Sequence, residues 1–317
     1  MSTHLRPVRG GTAAAVPPRT GPRSSIDVMH AHERRLGLLL VAPAAVLLLL
    51  VLLLPTLFAF GYSLLDITYA KIVGFAGLDN WEHAVFVRST WTLLGRTAVF
   101  VVGTVVLTIG LAFPIAMWLD KLTRRRALAM QIIVILPWVL STVVAALLFR
   151  WTWLETLGIG AWIQQSLTGS SSSPLLTRTG AMASLILIYT WRTLGFAVLL
   201  ILAGLKGLDA ELYEAAKVDG ANALERFRYI TIPMLRTTMT IVVIVLVVSS
   251  FNNAEVPYVV TGGGPGGATT TIALKIYTTA FTDLNFGSAA ALAAAAMVLN
   301  VALVVAYTRL SGLKVDE

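Results

Sequence analysis

Leu36-Gly-Leu-Leu-Leu-Val-Ala-Pro-Ala-Ala-Val-Leu-Leu-Leu-Leu-Val-Leu-Leu-Leu-Pro-Thr-Leu-Phe-Ala-Phe60 holds 25 residues without one charged side chain. A hydrocarbon core about 30 Å thick is crossed by about 20 residues rising 1.5 Å each, so this stretch is long enough to span it as a helix. In lipid a lone segment satisfies its backbone N–H and C=O groups only by bonding them internally, which selects the helix over a strand. Five further runs of similar character follow, at Thr97 to Leu119, Ala127 to Phe149, Ala181 to Leu205, Thr237 to Val260 and Ala289 to Tyr307. The reading is an all-α polytopic membrane protein with six transmembrane helices.

Composition agrees. Of 317 residues, 57% are hydrophobic and 13% charged, against about 25% charged in an ordinary soluble domain. A water-facing globular enzyme is excluded, and so is disorder, which needs low hydrophobicity and high charge. With Cys 0 there are no disulfides, thiolate nucleophiles or cysteine metal sites. The net charge of +8 could suggest nucleic acid, but in a membrane protein the placement of the cations carries the information. With both termini in the cytoplasm, 17 of the 24 Lys and Arg fall inside, six outside, and Arg192 within a span. The positive-inside rule then assigns an N-in, C-in orientation, and nucleic acid is not an expected partner.

Residues 1–35 read as a disordered basic cytoplasmic tail, 36–310 as the membrane domain with a cytoplasmic elbow at 206–236, and 311–317 as a cytoplasmic C-terminus. The apolar run after the tail is longer than the 7 to 15 residues of a signal peptide core and is expected to remain as the first span. His30 and His32 supply too few ligands for a metal. Trp91, Trp118, Trp151 and Trp153 sit near span ends, where an indole prefers the headgroup boundary. The alanines of Ala289 to Ala296 suit close helix packing.

Thr261-Gly-Gly-Gly-Pro-Gly-Gly-Ala-Thr-Thr270 is glycine-rich but lacks the Lys-Ser/Thr of a phosphate-binding loop. No H-E-x-x-H or G-x-S-x-G motif and no close intramembrane carboxylate pair is present. The chain is therefore not expected to be an enzyme, and its energy must come from a gradient or from another polypeptide.

The longest charged stretch between spans is Leu208-Asp-Ala-Glu-Leu-Tyr-Glu-Ala-Ala-Lys-Val-Asp-Gly-Ala-Asn-Ala-Leu-Glu-Arg-Phe-Arg-Tyr-Ile-Thr-Ile-Pro233. Asp209 can cap a first short helix over Ala210 to Val218, Gly220 permits a change of direction, and Asn222 can cap a second. Leu224, Phe227 and Ile230 then share one side, and Pro233 is expected to end the second helix.

Glu214-Ala-Ala, three residues, Gly220, nine residues and Ile230-Thr-Ile-Pro233 together resemble the EAA motif of the membrane subunits of ATP-binding-cassette (ABC) importers. Ile232 in place of Leu is the one departure, and it keeps an apolar side chain. Leu136-Pro-Trp138, Trp191-Arg-Thr-Leu-Gly-Phe196, Leu202-Ala-Gly-Leu205, Pro257-Tyr-Val-Val-Thr-Gly-Gly-Gly-Pro265 and Tyr277-Thr-Thr-Ala-Phe281 are similar to the sugar permeases of this group. Among these they are closest in kind to the first permease of the maltose and glycerol-3-phosphate systems. The likeness covers about residues 36 to 310.

The resemblance implies a type I permease fold and a non-enzymatic transport subunit of the inner membrane. It implies four kinds of partner besides lipid: a second homologous permease, two ATPase subunits, an extracytoplasmic solute-binding protein and a sugar. ATP and magnesium would be bound by the ATPases, with no cofactor in this chain. It also implies that Glu214, Ala215, Ala216, Asp219, Gly220, Ile230 and Pro233 form the coupling surface. Glu214 would meet a basic residue of the ATPase, the two alanines would permit close approach, and Gly220 would make the turn.

Ionisable groups inside a span are costly and usually face the bundle interior or a water-filled cavity. Arg192, beside Trp191, is therefore a candidate for contact with substrate or, equally, for pairing with a carboxylate such as Glu255. Asn252, Asn253 and Glu255 form a polar cluster near the outer end of the fifth span, either facing the sugar's path or satisfying one another. A secondary transporter would show inverted repeats and ion ligands on broken helices, and a membrane enzyme a convergent catalytic group. Neither pattern is present.

Overall fold

The computed structural model describes residues 25–69, 71–154, 158–169 and 173–311, with side chains described from Leu39 onward except at 161, 164, 167, 168 and 210. The expected tail through residue 24 and the C-terminal residues 312–317 lie outside these limits. Residues through Pro55 and residues from Thr56 onward form two separate units.

The first helix, α1 (Ser25–Tyr62), begins well before the expected Leu36. The last glycine and proline before it are Gly21 and Pro22. Beyond them Met29, Ala31, Glu33, Arg34 and Arg35 all favour helix, so the turn propagates back through part of the stretch read as tail. Between Leu39 and Leu54 its side chains are almost all exposed, as suits a helix whose solvent is hydrocarbon.

After the end of α1 the second unit carries a small hairpin, the one exception to the all-α expectation among the described residues. Strand β1 (Leu65–Thr68) pairs antiparallel with β2 (Lys71–Phe75), and Thr68 bridges to Asn285. Helix α2 (Asp79–Ala84) secures the hairpin through Asn80, whose amide donates to Ser63 O at 3.0 Å and Leu65 O at 2.9 Å.

Helix α3 (Arg88–Asp120) has 33 residues, about 50 Å at 1.5 Å each. After it come α4 (Arg124–Val139), α5 (Thr142–Thr152), α6 (Ile159–Thr168) and α7 (Arg178–Lys206). Helices α3 and α7 form the centre and run parallel. Phe100 meets Tyr189 at 5.6 Å between ring centroids, Thr108 meets Thr193 at 3.4 Å, and Ala112, Ala116 and Leu119 join Ala197, Val198, Ile201 and Leu202 in one buried cluster. Small and hydroxyl-bearing residues on both helices allow this approach.

The expected third span is not one straight helix. Helices α4 and α5 meet at 90°, with Leu140 and Ser141 in extended conformation between them. Pro137 removes a backbone donor within the last turn of α4, so that turn is the weakest point at which to break. Helix α4 lies against α7 where the chain is smallest: a Cβ on Gly195 would stand 2.1 Å from the carbonyl oxygen of Val134. We expect Gly195→Ala to destabilise the bundle by about 1–3 kcal/mol through this overpacking. Gly110, whose Cβ would meet nothing within 4 Å, should tolerate alanine. Melting midpoints of both variants in the same detergent check this.

Beyond α7 lies the elbow, made of α8 (Ala210–Val218), α9 (Ala223–Arg226), a π-helical turn at Phe227–Thr231 and α10 (Ile232–Met234). Helix α11 (Arg236–Phe251) leaves it at 66°. The chain then forms α12 (Glu255–Thr261), α13 (Ile272–Phe281) and α14 (Phe286–Ser311). The expected fifth span, to Val260, therefore ends at Phe251, because Asn252 and Asn253 turn their amides onto the backbone. Asn252 Nδ2 donates to Val248 O at 2.8 Å, and Asn253 Oδ1 accepts from Val256 N at 3.1 Å. Side chains that bond the local backbone compete with the helix and end it. Among the described residues four helices are long and apolar enough to cross a membrane, and up to six spans result if each bent pair counts as one.

Candidate functional site

The elbow is built from local signals that the sequence carries openly. Asp209 accepts from Glu211 N at 3.0 Å and starts α8. Gly220, at φ +83, turns the chain. Asn222 and Glu225 then form a reciprocal capping box: Asn222 Oδ1 accepts from Leu224 N and Glu225 N, each at 3.0 Å, and Glu225 Oε2 accepts from Asn222 N at 2.7 Å. Loss of this cap in Asn222→Ala should cost about 1 kcal/mol, read as faster amide exchange at Leu224 and Glu225 with no change elsewhere.

Pro233 does not end the second arm, as its position suggested. It sits at the start of α10, after the wide turn at Phe227–Thr231, and the break comes at Leu235, with φ −80 and ψ 1. A π turn loosens the helix one turn ahead of the proline, where the ring would otherwise meet a carbonyl. Phe227 packs edge-on against Phe113 of α3, with centroids 5.5 Å apart. Tyr213 OH lies 2.9 Å from the buried Thr231 Oγ1, tying the two arms together. Tyr213 and Thr231 were not singled out in the sequence, because nothing in a single chain marks a hydroxyl pair 18 positions apart.

On the elbow's surface Glu214 is exposed and held by Lys217, Nζ to Oε1 at 2.5 Å. Ala215, Asp219, Gly220 and Pro233 are exposed, and Ala216 and Ile230 half-buried. Leu212, Val218, Leu224 and Tyr229 are exposed too, Val218 at 88%. These apolar side chains are thus exposed on a projection that also carries charged residues. A cavity of about 600 Å³ lies beneath, between Asp120, Lys121, Lys206, Tyr213 and Glu214.

The residues proposed for a substrate path fall in two places. Arg192 lies midway along α7, half-buried, and its buried Nε has no hydrogen-bond partner among the described residues. The buried Tyr189, one turn earlier, is within electrostatic reach of both Arg192 and Glu255. Glu255 is exposed, and among the described residues no ion pair joins it to Arg192. Trp191 points elsewhere: its ring meets Phe149 of α5 edge-on at 5.2 Å. Adjacent helical residues diverge by about 100°, which is why Trp191 and Arg192 do not act as one unit.

Asn252 lies apart from these, on a groove of about 560 Å³ between α11, α13 and α14. Asn300 lines it too, its Oδ1 buried and, among the described residues, unpartnered. Asn300 is a lone amide in an apolar run, a signal present in the sequence and passed over. Asn253 is occupied as the cap of α12. Among the described residues no group of three or more His, Asp or Glu side chains is placed to hold a metal ion.

Comparison with known proteins places these features in context. Residues 109–312 match the family model described as "Binding-protein-dependent transport system inner membrane component". The sulfoquinovosyl glycerol transport system permease protein of Agrobacterium fabrum is 32% identical, covering 88% of this chain and 91% of the relative. The trehalose/maltose transport system permease protein of Thermococcus litoralis is also 32% identical, over 87% and 92%. The sn-glycerol-3-phosphate transport system permease protein of Agrobacterium fabrum is 31% identical, over 84% and 90%. In the solved structures, a chain of a bacterial alginate ABC transporter in complex with its alginate pentasaccharide-bound periplasmic protein superposes with a TM-score of 0.74 at 18% identity. That match covers 88% of this chain and 95% of the other. At that identity the likeness is one of fold.

Proposed function

This chain belongs to the family of binding-protein-dependent transport system inner membrane components, and from that membership we propose that its elbow couples ATP hydrolysis in partner subunits to passage of a carbohydrate. It is a multi-pass permease subunit of a carbohydrate-type ABC importer, with the type I permease fold, and it is a transport subunit rather than an enzyme. Beyond this, the proposal has six spans with both termini in the cytoplasm, each bent pair serving as one span. The sugar, of di- or oligosaccharide size, is handed over by a solute-binding protein. A second, homologous permease completes the pathway, and two ATPases hold ATP and magnesium.

The observation that carries this reading is the elbow. Movement passes between subunits only through a contact whose energy differs between two states. A capped helix, a φ-positive glycine and a second capped arm, braced by Tyr213–Thr231 and Phe113–Phe227, make a projection stiff enough to be pushed. Glu214 and the exposed Ala215 give it a charged contact and a place of close approach. Asp219 and Gly220 set its bend, and Ile230 and Pro233 join it to the next span.

A second reading concerns the cargo. The unpartnered Nε of Arg192 suits an anionic solute such as a glycerol-phosphate compound as well as a neutral sugar. Relatives named for sn-glycerol-3-phosphate and for sulfoquinovosyl glycerol support keeping it. The deciding experiment is ATP hydrolysis by the purified complex with its binding protein, across neutral sugars and phosphorylated or sulfonated glycosides. A cargo in our class raises hydrolysis several-fold; no response to any member would overturn the assignment.

A further inference from the structure

The glycine-rich stretch after α12 is excluded as a nucleotide cradle, yet its geometry is specific. Gly262, Gly263, Gly266 and Gly267 all have positive φ, at +59, +87, +56 and +73. Threonine hydroxyls hold the loop from within. Thr261 Oγ1 meets Thr269 Oγ1 at 2.7 Å, and both Thr269 Oγ1, at 2.7 Å, and Thr270 Oγ1, at 3.3 Å, donate to loop carbonyls. Most loop N–H groups are spent in the same way: Gly264 N donates to Thr261 O, Thr269 N to Gly263 O and Thr270 N to Gly267 O. Among the described residues the N–H groups of Gly266 and Gly267, two in succession, donate to nothing.

Two guanidinium groups converge on these two glycines from separate helices. A Cβ on Gly267 would lie 3.4 Å from Arg96 Nη1, and one on Gly266 would lie 3.6 Å from Arg178 Nη2. Among the described residues neither arginine forms an ion pair, those present being Lys217–Glu214 and Lys275–Asp283, and neither donates a hydrogen bond. By contrast Arg150 does donate, to Val259 O at 3.0 Å. Two guanidinium groups close to two N–H groups in succession, all four without a hydrogen-bond partner among the described residues, supply the donors that a carboxylate takes several at once.

The place is the end of the bundle away from the elbow. Arg96 precedes Asp120 by 24 residues on α3, about 36 Å, and Arg178 precedes Lys206 by 28 on α7, about 42 Å. Asp120 and Lys206 line the cavity under the elbow. Beside the loop runs an exposed aromatic ladder: Tyr258 of α12 meets Tyr277 of α13 at 4.9 Å, and Tyr277 meets Phe281 at 5.1 Å. Phe281 is 63% exposed. Arginine with tyrosine and phenylalanine is the composition of a protein–protein contact.

We propose that Arg96, Arg178 and the N–H groups of Gly266 and Gly267 bind an Asp or Glu side chain of the solute-binding protein, with the Tyr258–Tyr277–Phe281 ladder as the apolar part of the same contact. The proposal rests on the importer reading above. A free small anion would gain little here, because Arg178 and Gly266 are exposed and screened by water. A carboxylate carried on a docked protein is held in place by the rest of the interface.

The test uses the whole complex in nanodiscs of neutral lipid, titrated with its sugar-loaded binding protein while ATP hydrolysis is followed. Arg96→Gln and Arg178→Gln should each raise the half-saturating concentration on the order of tenfold, the scale of a lost charge-assisted hydrogen bond. Basal hydrolysis should not change, and the difference should shrink as salt rises. Arg178 is exposed, so its variant folds and decides the matter if the Arg96 variant does not. An unchanged half-saturation for Arg178→Gln overturns the proposal, as does a shift that appears only when anionic lipid is present. If the unaltered complex is not stimulated by any binding protein, the importer reading fails first and this site fails with it.

Discussion

Glu214→Lys abolishes binding-protein-stimulated ATP hydrolysis and sugar uptake, each by at least about a hundredfold, while the chain inserts and assembles as before. The size of the effect follows from where Glu214 sits. It is exposed on α8, and among the described residues its one internal tie is the surface pair with Lys217, worth about 0.3–0.5 kcal/mol. The fold loses almost nothing. A coupling contact with a basic residue of the ATPase, by contrast, would turn from attraction to repulsion between like charges, which costs several kcal/mol at an interface. Gly220→Pro should have the same outcome for a different reason, since proline fixes φ near −65° where the chain needs +83. Gly220→Ala is milder. No atom lies within 4 Å of the added Cβ, so only the left-handed backbone opposes it, at about 1–2 kcal/mol. Stimulated ATPase activity and uptake, measured beside the amount of complex recovered from membranes, separate lost coupling from lost folding.

The second large effect is at Arg192. If it faces the cargo, Arg192→Leu removes transport by about tenfold or more and leaves the complex at least as stable. Taking an unpartnered cation out of a span relieves a burial cost of about 2.5–3.5 kcal/mol on insertion scales. A purely structural arginine gives the opposite sign, because its removal strands the group it had satisfied. The buried Nε with no hydrogen-bond partner favours the first outcome. The melting midpoint of the variant complex, set beside its transport rate, distinguishes the two. Coupling of Arg192 to Glu255 is tested by the charge swap Arg192→Glu with Glu255→Arg: unaltered transport would assign the two side chains to structure alone.

What the sequence made legible was whatever rests on neighbours along the chain. The apolar runs marked helical segments because lipid leaves the backbone no alternative to helix, although two of them are bent rather than single straight helices. Asp209, Gly220 and Asn222 gave the elbow because caps and positive-φ turns are decided within three or four residues. Contacts between distant segments were out of reach. Pro137 marks a weak point in the third apolar run, but neither the 90° angle at Leu140–Ser141 nor the packing of α4 on Gly195, some 55 positions away, is written in the local sequence. The hairpin at Leu65–Phe75 is held by Asn80 and Asn285 rather than by any hairpin turn signal. Among the site residues, the elbow group is exposed or half-buried, whereas Asn252 and Asn253 bond the backbone at the ends of α11 and α12. The arginines at 96 and 178 carried no mark at all, since only the folded loop brings them to Gly266 and Gly267.

The central claim is that this chain moves its cargo only when a separate hydrolase pushes on the elbow. Uptake of labelled sugar into proteoliposomes, with the binding protein present and the ATPase subunits either included or omitted, measures it directly. The account predicts ATP-dependent accumulation with the ATPases, insensitive to collapse of ion gradients, and none without them. Accumulation by the permeases alone, driven by an ion gradient and lost with an ionophore, would contradict it.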